Sequence, residues 1–335
     1  MNIYRKLGVI LCVVTGLIIV LYSCSTPKVA PQITDNMSTE KIVSIALDYG
    51  GVSLNVAKDK ITKRGVEEGV SEILEKELLE KQGSLSDKRL ANGVNLYQYT
   101  KKGASYELVK TMIYSTRSLS NDLGWMMASN FPSDQMKTLI EDYITEKIES
   151  GNESSLMKPF IASAIKSNNV VSVYSVARLG LMQAEDNLAF AEACATLKPI
   201  EASTDFLAYL ARANLDDLRQ LNQRSINMQT ASFALRHMQK YPPQVSDPNI
   251  DVLFLYTLSR NNALAENAFD LLNKFYGDYM EVLSLKLSRL SEWVQICFVE
   301  QMREKLNTTT RRFLLSLQSN TPYPTVSDEI KDLKL

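Results

Sequence analysis

The sequence predicts an all-α protein: behind an N-terminal leader, either a helical-repeat, α-solenoid-like array or an irregular helical bundle. Three observations carry this. Apolar residues recur at intervals of three and four along nearly the whole chain, the period of a helix with one buried face. The segments so defined run to about 11–16 residues and follow one another with only short polar, Asn, Gly or Pro punctuation between them. No run alternates with period two over the length of a strand. Val170–Val176 comes nearest, and its flanks make it a helix.

The leader comes first. Arg5 and Lys6 form a positive start, Leu7 to Leu21 is an uncharged apolar run, and Ser23 is a small residue just before Cys24, which is the three-part plan of a secretory signal peptide. An uncleaved N-terminal membrane helix is the alternative, since the uncharged stretch Leu7–Cys24 approaches the length of a span. Leu21-Tyr22-Ser23-Cys24 resembles the bacterial lipobox, with Leu21, Ser23 and Cys24 in register and Tyr22 where a small residue is usual. The resemblance implies cleavage after Ser23, a diacylglycerol thioether and an N-acyl group such as palmitate on Cys24, and a body outside the inner membrane. Ser25, in place of an Asp, resembles the outer-membrane sorting signal of a Gram-negative cell. Several acyl chains anchor stably where one does not.

Residues 24–37 contain Pro27 and Pro31, lack helical period and read as a tether. The region 38–150 starts at Ser38, a good N-cap with Glu40 in the first turn. Ile42, Ile45, Ala46, Tyr49, Val52 and Val56 then carry a helix that continues to Gly83, with a kink or break expected at Gly50-Gly51. Gly65 and Gly69 form a GxxxG whose charged surroundings exclude a membrane span and suggest close packing of soluble helices. Ser84–Gly103 reads as a connection holding a short helix. Period resumes at Tyr106, breaks at Asn130–Ser133, and returns in a helix capped by Ser133 and ending at Gly151.

From 151 to 318 the pattern is repetitive. Asn168-Asn169, Pro199, Pro242-Pro243, Pro248, Asn261-Asn262, Gly277 and Asn307 punctuate helices that include Leu215–Leu221, Ala263–Tyr276 and Asp278–Leu290. Two helices plus turns take about 30–40 residues, the unit of helical solenoids. The architecture loosely resembles HEAT and tetratricopeptide arrays, although the Trp/Leu/Gly/Tyr pattern of the latter is missing. Residues 319–335, with Pro322 and Pro324, read as an extended tail.

Composition bounds the chemistry. With 37 basic and 38 acidic residues the chain is near neutral, and loss of Arg5 and Lys6 with the leader leaves 35 against 38. No positive field attracts nucleic acid. Of four cysteines, Cys12 lies in the leader and Cys24 is the lipid site. Cys194 and Cys297 read as buried apolar thiols, able to pair only with Cα atoms within about 7 Å. The one histidine, His237, reads as a surface or groove residue, so two-histidine zinc sites are excluded.

Ser38–Lys41 and Ser163–Lys166 match the SxxK spacing of penicillin-binding enzymes. Lys101-Lys102-Gly103, nearest to the required KTG, departs from it and precedes the second tetrad. Carboxylate doublets such as Glu67/Glu68, Glu141/Asp142 and Asp216/Asp217 diverge on a helix and do not form a glycosidase pair. No nucleotide-binding motif occurs, and no cofactor is expected beyond the covalent lipid. The expectation is a membrane-tethered, non-enzymatic scaffold or assembly factor that binds another envelope protein. A peptidoglycan hydrolase acting through carboxylates brought together by the fold is the alternative.

Overall fold

The computed structural model describes residues 30–335, apart from 82, 101–104, 214–217, 219–225 and 245, and gives the backbone alone at 275–281. Every regular element among the described residues is helical. Cys24, with the leader, lies outside them, as do Lys101–Gly103, the Asp216/Asp217 doublet and most of the segment Leu215–Leu221. Contacts divide the chain into two compact units meeting between Gly103 and Ala104. This boundary lies well before Gly151, where the sequence changes texture.

The first unit holds α1 (Thr39–Tyr49), α2 (Gly51–Arg64), α3 (Glu67–Lys81) and α4 (Asp87–Thr100). Ser38 caps α1, its Oγ accepting from the Lys41 N–H at 3.3 Å. The break at Gly50 is as the sequence suggests: φ is +60°, and a Cβ there would lie 2.8 Å from the Asn92 amide that donates to the Leu47 carbonyl. The chain breaks again at Gly65, a left-handed C-cap whose N–H reaches the last carbonyls of α2. The GxxxG is therefore a helix stop and not a packing face, since added Cβ atoms at Gly65 and Gly69 would meet nothing within 4 Å.

The expected connection at 84–103 is also corrected. α4 is a full helix burying Leu90, Val94, Leu96 and Tyr97, packed against α1, α2 and α3. Gly93, which reads as a loop residue, sits there against Leu78 and Leu47. Ahead of α1, Ile33 is buried, Asp35 pairs with Lys60, and the Asp35 carbonyl accepts from Arg64 Nη2 at 2.7 Å.

The second unit contains α5 (Tyr106–Ile113), α6 (Ser118–Asn130), α7 (Asp134–Glu149), α8 (Pro159–Ser167), α9 (Tyr174–Gln183), α10 (Leu188–Leu197), α11 (Pro199–Leu210), α12 (Met228–Lys240), α13 (Val252–Thr257), α14 (Asn262–Leu287), α15 (Glu292–Arg303), α16 (Thr308–Asn320) and α17 (Pro324–Lys331). Short 3₁₀ turns precede α8 and α9. The contacts are those of a stacked array. α6, α8, α10, α12, α14 and α16 each pack on the next, and the intervening helices back them, with α5 on α7, α9 on α11, α13 on α15 and α15 on α17. This is the nearest-neighbour logic of a helical-repeat protein. Successive helices of the first layer start 29 to 46 residues apart, at 118, 159, 188, 228, 262 and 308.

In two hairpins the neighbouring helix presses directly on a glycine. A Cβ on Gly124 would come within 2.8 Å of the Ile113 backbone nitrogen, and one on Gly180 within 2.2 Å of the Phe190 ring. Buried polar groups tie successive elements elsewhere. The Asn168 side chain donates to the Ala128 and Ala164 carbonyls at 2.9 Å and accepts from the Ser133 N–H at 3.1 Å, joining α6, α8 and the cap of α7. Asn187, Tyr209 and Thr230 form a similar knot among α10, α11 and α12.

Two expectations are overturned here, and a third is refined. Pro199 does stand between two helices, and it is the first residue of α11, since N1 needs no N–H. Gly277 lies inside the continuous α14, where packing on α12, α13 and α16 outweighs the roughly 1 kcal/mol cost of a helical glycine. The tail is not extended: Pro324 opens α17, which buries Val326 and Ile330 against α15 and α16.

Candidate functional site

Residues that invite a catalytic reading are engaged structurally. Ser38 is a helix cap. Lys166 extends from α8 to an ion pair with Glu192 at 2.6 Å, and Glu141 accepts from Ser172 at 2.6 Å. His237 is half-buried on α12, edge-on to Phe206, stacked near Phe233 and Tyr241, with Nε2 2.8 Å from the Pro199 carbonyl oxygen. Burial lowers its pKa against the opposing pull of that carbonyl, and nearby Lys240 adds to the lowering.

Cys194 on α10 and Cys297 on α15 are both buried. Burial and the neighbouring Asp205 carboxylate push the Cys194 thiol up to about 12, the reverse of what a nucleophile needs. Asp205 itself is buried and held by the Tyr174 hydroxyl at 2.6 Å and Arg178 Nε at 2.8 Å, an inter-helix tie between α9 and α11. Among the described residues no cluster of His, Cys, Asp and Glu has the arrangement of a metal site.

Depressions remain in the second unit. One of about 390 Å³ lies along α15, lined by Leu258, Cys297, Glu300, Gln301, Glu304 and Lys305, and two others are assembled from more helices. The first of these two, of about 380 Å³, lies where the C-terminal ends of α5 and α7 meet the start of α6 and the chain before α8. Its walls are hydroxyl- and amide-rich, with Tyr114 edge-on to Tyr143 at 5.2 Å and Lys147 over the Tyr143 ring. Both cations have carboxylate partners, Lys158 with Asp122 at 2.7 Å and Lys147 with Glu146 at 3.3 Å. Burial, then Glu146, pushes the Tyr114 phenol up to about 12, so it stays protonated.

The second is a groove of about 430 Å³ crossing the N-terminal turns of α10, α12 and α14. These three helices belong to one layer, so their starts gather at one edge. Leu188, Met228, Phe233 and Ala263 make its apolar floor, with Glu192 and Arg236 among its polar walls. Phe233 is supported from behind by Phe206, ring centroids 6.0 Å apart. The arrangement suits binding: an apolar floor, one acid, one guanidinium and no aligned nucleophile and base. Neither of these two depressions is legible in the sequence, because each is assembled from residues scattered over three or more helices. The apolar spacing of Met228, Phe233 and their neighbours was the only available signal.

No protein-family model matches the chain, and neither a curated protein nor a solved structure is significantly similar to it. The class defined by the fold is thus an all-α protein with a stacked helical array as its second unit.

Proposed function

We propose that the chain is a lipoprotein held in the cell envelope by acyl groups on Cys24, and that its helical array binds another envelope protein without chemistry of its own. In a Gram-negative cell, Ser25 would direct it to the outer membrane. The observation that carries the binding reading is the groove over α10, α12 and α14: three successive helices of one layer offer a continuous apolar floor bordered by opposite charges. Solenoids recognise partners through such faces, made by repetition, and apolar floors with polar rims are the ordinary anatomy of a protein interface.

A hydrolase reading draws no support from this groove. Glycoside hydrolysis takes two carboxylates about 5–10 Å apart, whereas the groove offers Glu192 alone, already engaged by Lys166.

The test is a photo-crosslinking amino acid at Ser232 in the native cell, with intact-mass analysis of wild type beside Cys24→Ala. The expected result is an acylated chain beginning at Cys24 and one discrete envelope-protein adduct. An unmodified Met1 species would sink the anchor. Release of soluble wall fragments from purified peptidoglycan by the chain would sink the non-enzymatic reading.

A further inference from the structure

The first unit grips the chain that leads to the proposed anchor. Ile33 is buried, and Asp35 is tied by its carboxylate to Lys60 and by its carbonyl to Arg64, one turn apart on α2. Cys24 stands nine residues before Ile33. Nine residues reach at most about 30 Å. A unit of some 70 residues has a radius of gyration near 11 Å, hence a diameter of about 28 Å. The leash is therefore shorter than the roughly 44 Å path around half of such a unit, so the side from which it departs stays toward the bilayer.

That side is the outward face of α2. Val52, Val56, Asp59 and Lys63, spaced four, three and four, form one stripe along it. The strap bound to Lys60 and Arg64 borders the stripe on one side. Tyr99 borders it on the other, its hydroxyl 3.0 Å from the Thr62 Oγ1 and its ring under the Lys58 ammonium. Val52 is 80% exposed and Tyr99 46%.

Charge separates this face from its neighbours. The four cations of α2 outnumber Asp59 and the strap's Asp35 by two, while α3 carries six glutamates against two lysines. Exposed valine, a tyrosine with a wet hydroxyl and long basic side chains are the residue types that settle at a headgroup boundary.

We propose that the outward face of α2 lies on the anionic headgroup surface of the membrane that holds Cys24, an inference that rests on the lipoprotein reading. The strap sets the orientation: by fixing residues 33–35 along α2, it presents this helix, and not the acidic α3, to the lipid.

The test uses the acylated full chain in phosphatidylglycerol–phosphatidylethanolamine vesicles whose headgroups carry a nitroxide quencher. A fluorophore is placed at Lys63→Cys, or at Ile73→Cys on α3, where the native side chain is 47% exposed. Val52→Cys serves as a second probe of the α2 face if Lys63→Cys folds poorly. Quenching several-fold stronger on α2 than on α3 is the expected result. Equal quenching, or stronger quenching at 73, overturns the proposal, as does a position 63 shielded by a protein with no lipid quenching. Intact mass of the same sample separates the two failures. An acylated chain with equal quenching refutes the docking face alone, and an unacylated chain removes the lipoprotein reading and this face with it.

Discussion

Gly180→Ala tests the stacked packing of the second unit at its tightest point. On an exposed helix this substitution stabilises by up to about 1 kcal/mol, because alanine is the better helix former. Here the new methyl would sit 2.2–2.5 Å from three ring carbons of Phe190, itself fully buried. Carbon atoms rest about 3.5–4.0 Å apart, so ring and helix must separate by more than an ångström. Overpacking of this kind costs about 1–3 kcal/mol. Taking the upper part of that range, because the ring has no solvent to retreat into, and subtracting the propensity gain leaves about 1–2 kcal/mol of net destabilisation. For a unit of this size each kcal/mol lowers the melting temperature by about 2–4 °C. Thermal unfolding followed by far-ultraviolet circular dichroism should show a drop of about 2–8 °C on that basis. Phe190→Leu added to Gly180→Ala should cost less than the two changes summed, because the smaller side chain makes room for the methyl. A Gly180→Ala variant that melts at or above wild type refutes the close α9–α10 packing and the account of why glycine stands there.

Three further outcomes are expected. Asn168→Ala should destabilise by about 1–3 kcal/mol in urea titration, since it strands the carbonyl of buried Ala128, a group worth about that much without a partner, and removes the acceptor of the Ser133 N–H; a loss under half a kcal/mol would refute the clamp. The lowered pKa of His237 means the folded state holds this proton less tightly than the unfolded chain, whose value is 6.5. Its contribution is complete above that value and is lost as pH falls below it toward the folded-state pKa. His237→Gln should therefore show a smaller difference in melting temperature between neutral pH and pH 5 than wild type, and an unchanged difference would contradict the burial argument. With its thiol raised to about 12, Cys194 should resist alkylation by iodoacetamide at pH 8 until the chain unfolds, as peptide mapping would reveal; rapid labelling of the native protein would refute this.

How much of this was legible in the sequence depends on what each residue was asked to report. Apolar spacing reports a buried face, and it located most of the helices between Tyr106 and Asn320, but not α17, whose buried face is only Val326 and Ile330. Ser38 and Ser133 reported helix starts correctly, since a cap's chemistry is local: each side chain accepts from the N–H three residues ahead. Punctuation residues were less informative. Pro199 and Pro324 begin helices, because proline suits N1, and Gly277 lies inside one, because tertiary contacts override the cost of a mid-helix glycine. Gly93, Gly124 and Gly180 are small for a reason visible only across a helix pair, where another side chain or backbone occupies the space. The groove was illegible for the same reason, since Leu188, Phe233 and Ala263 are separated by two whole helices and become neighbours only through stacking. A stacked helical array thus exposes its local grammar in sequence and conceals a groove that spans several helices, because the groove belongs to no single one of them. The strap shows the converse. Asp35 lies in a stretch without period, and what fixes it is Lys60 and Arg64, whose spacing of four on α2 marks a helix but names no partner.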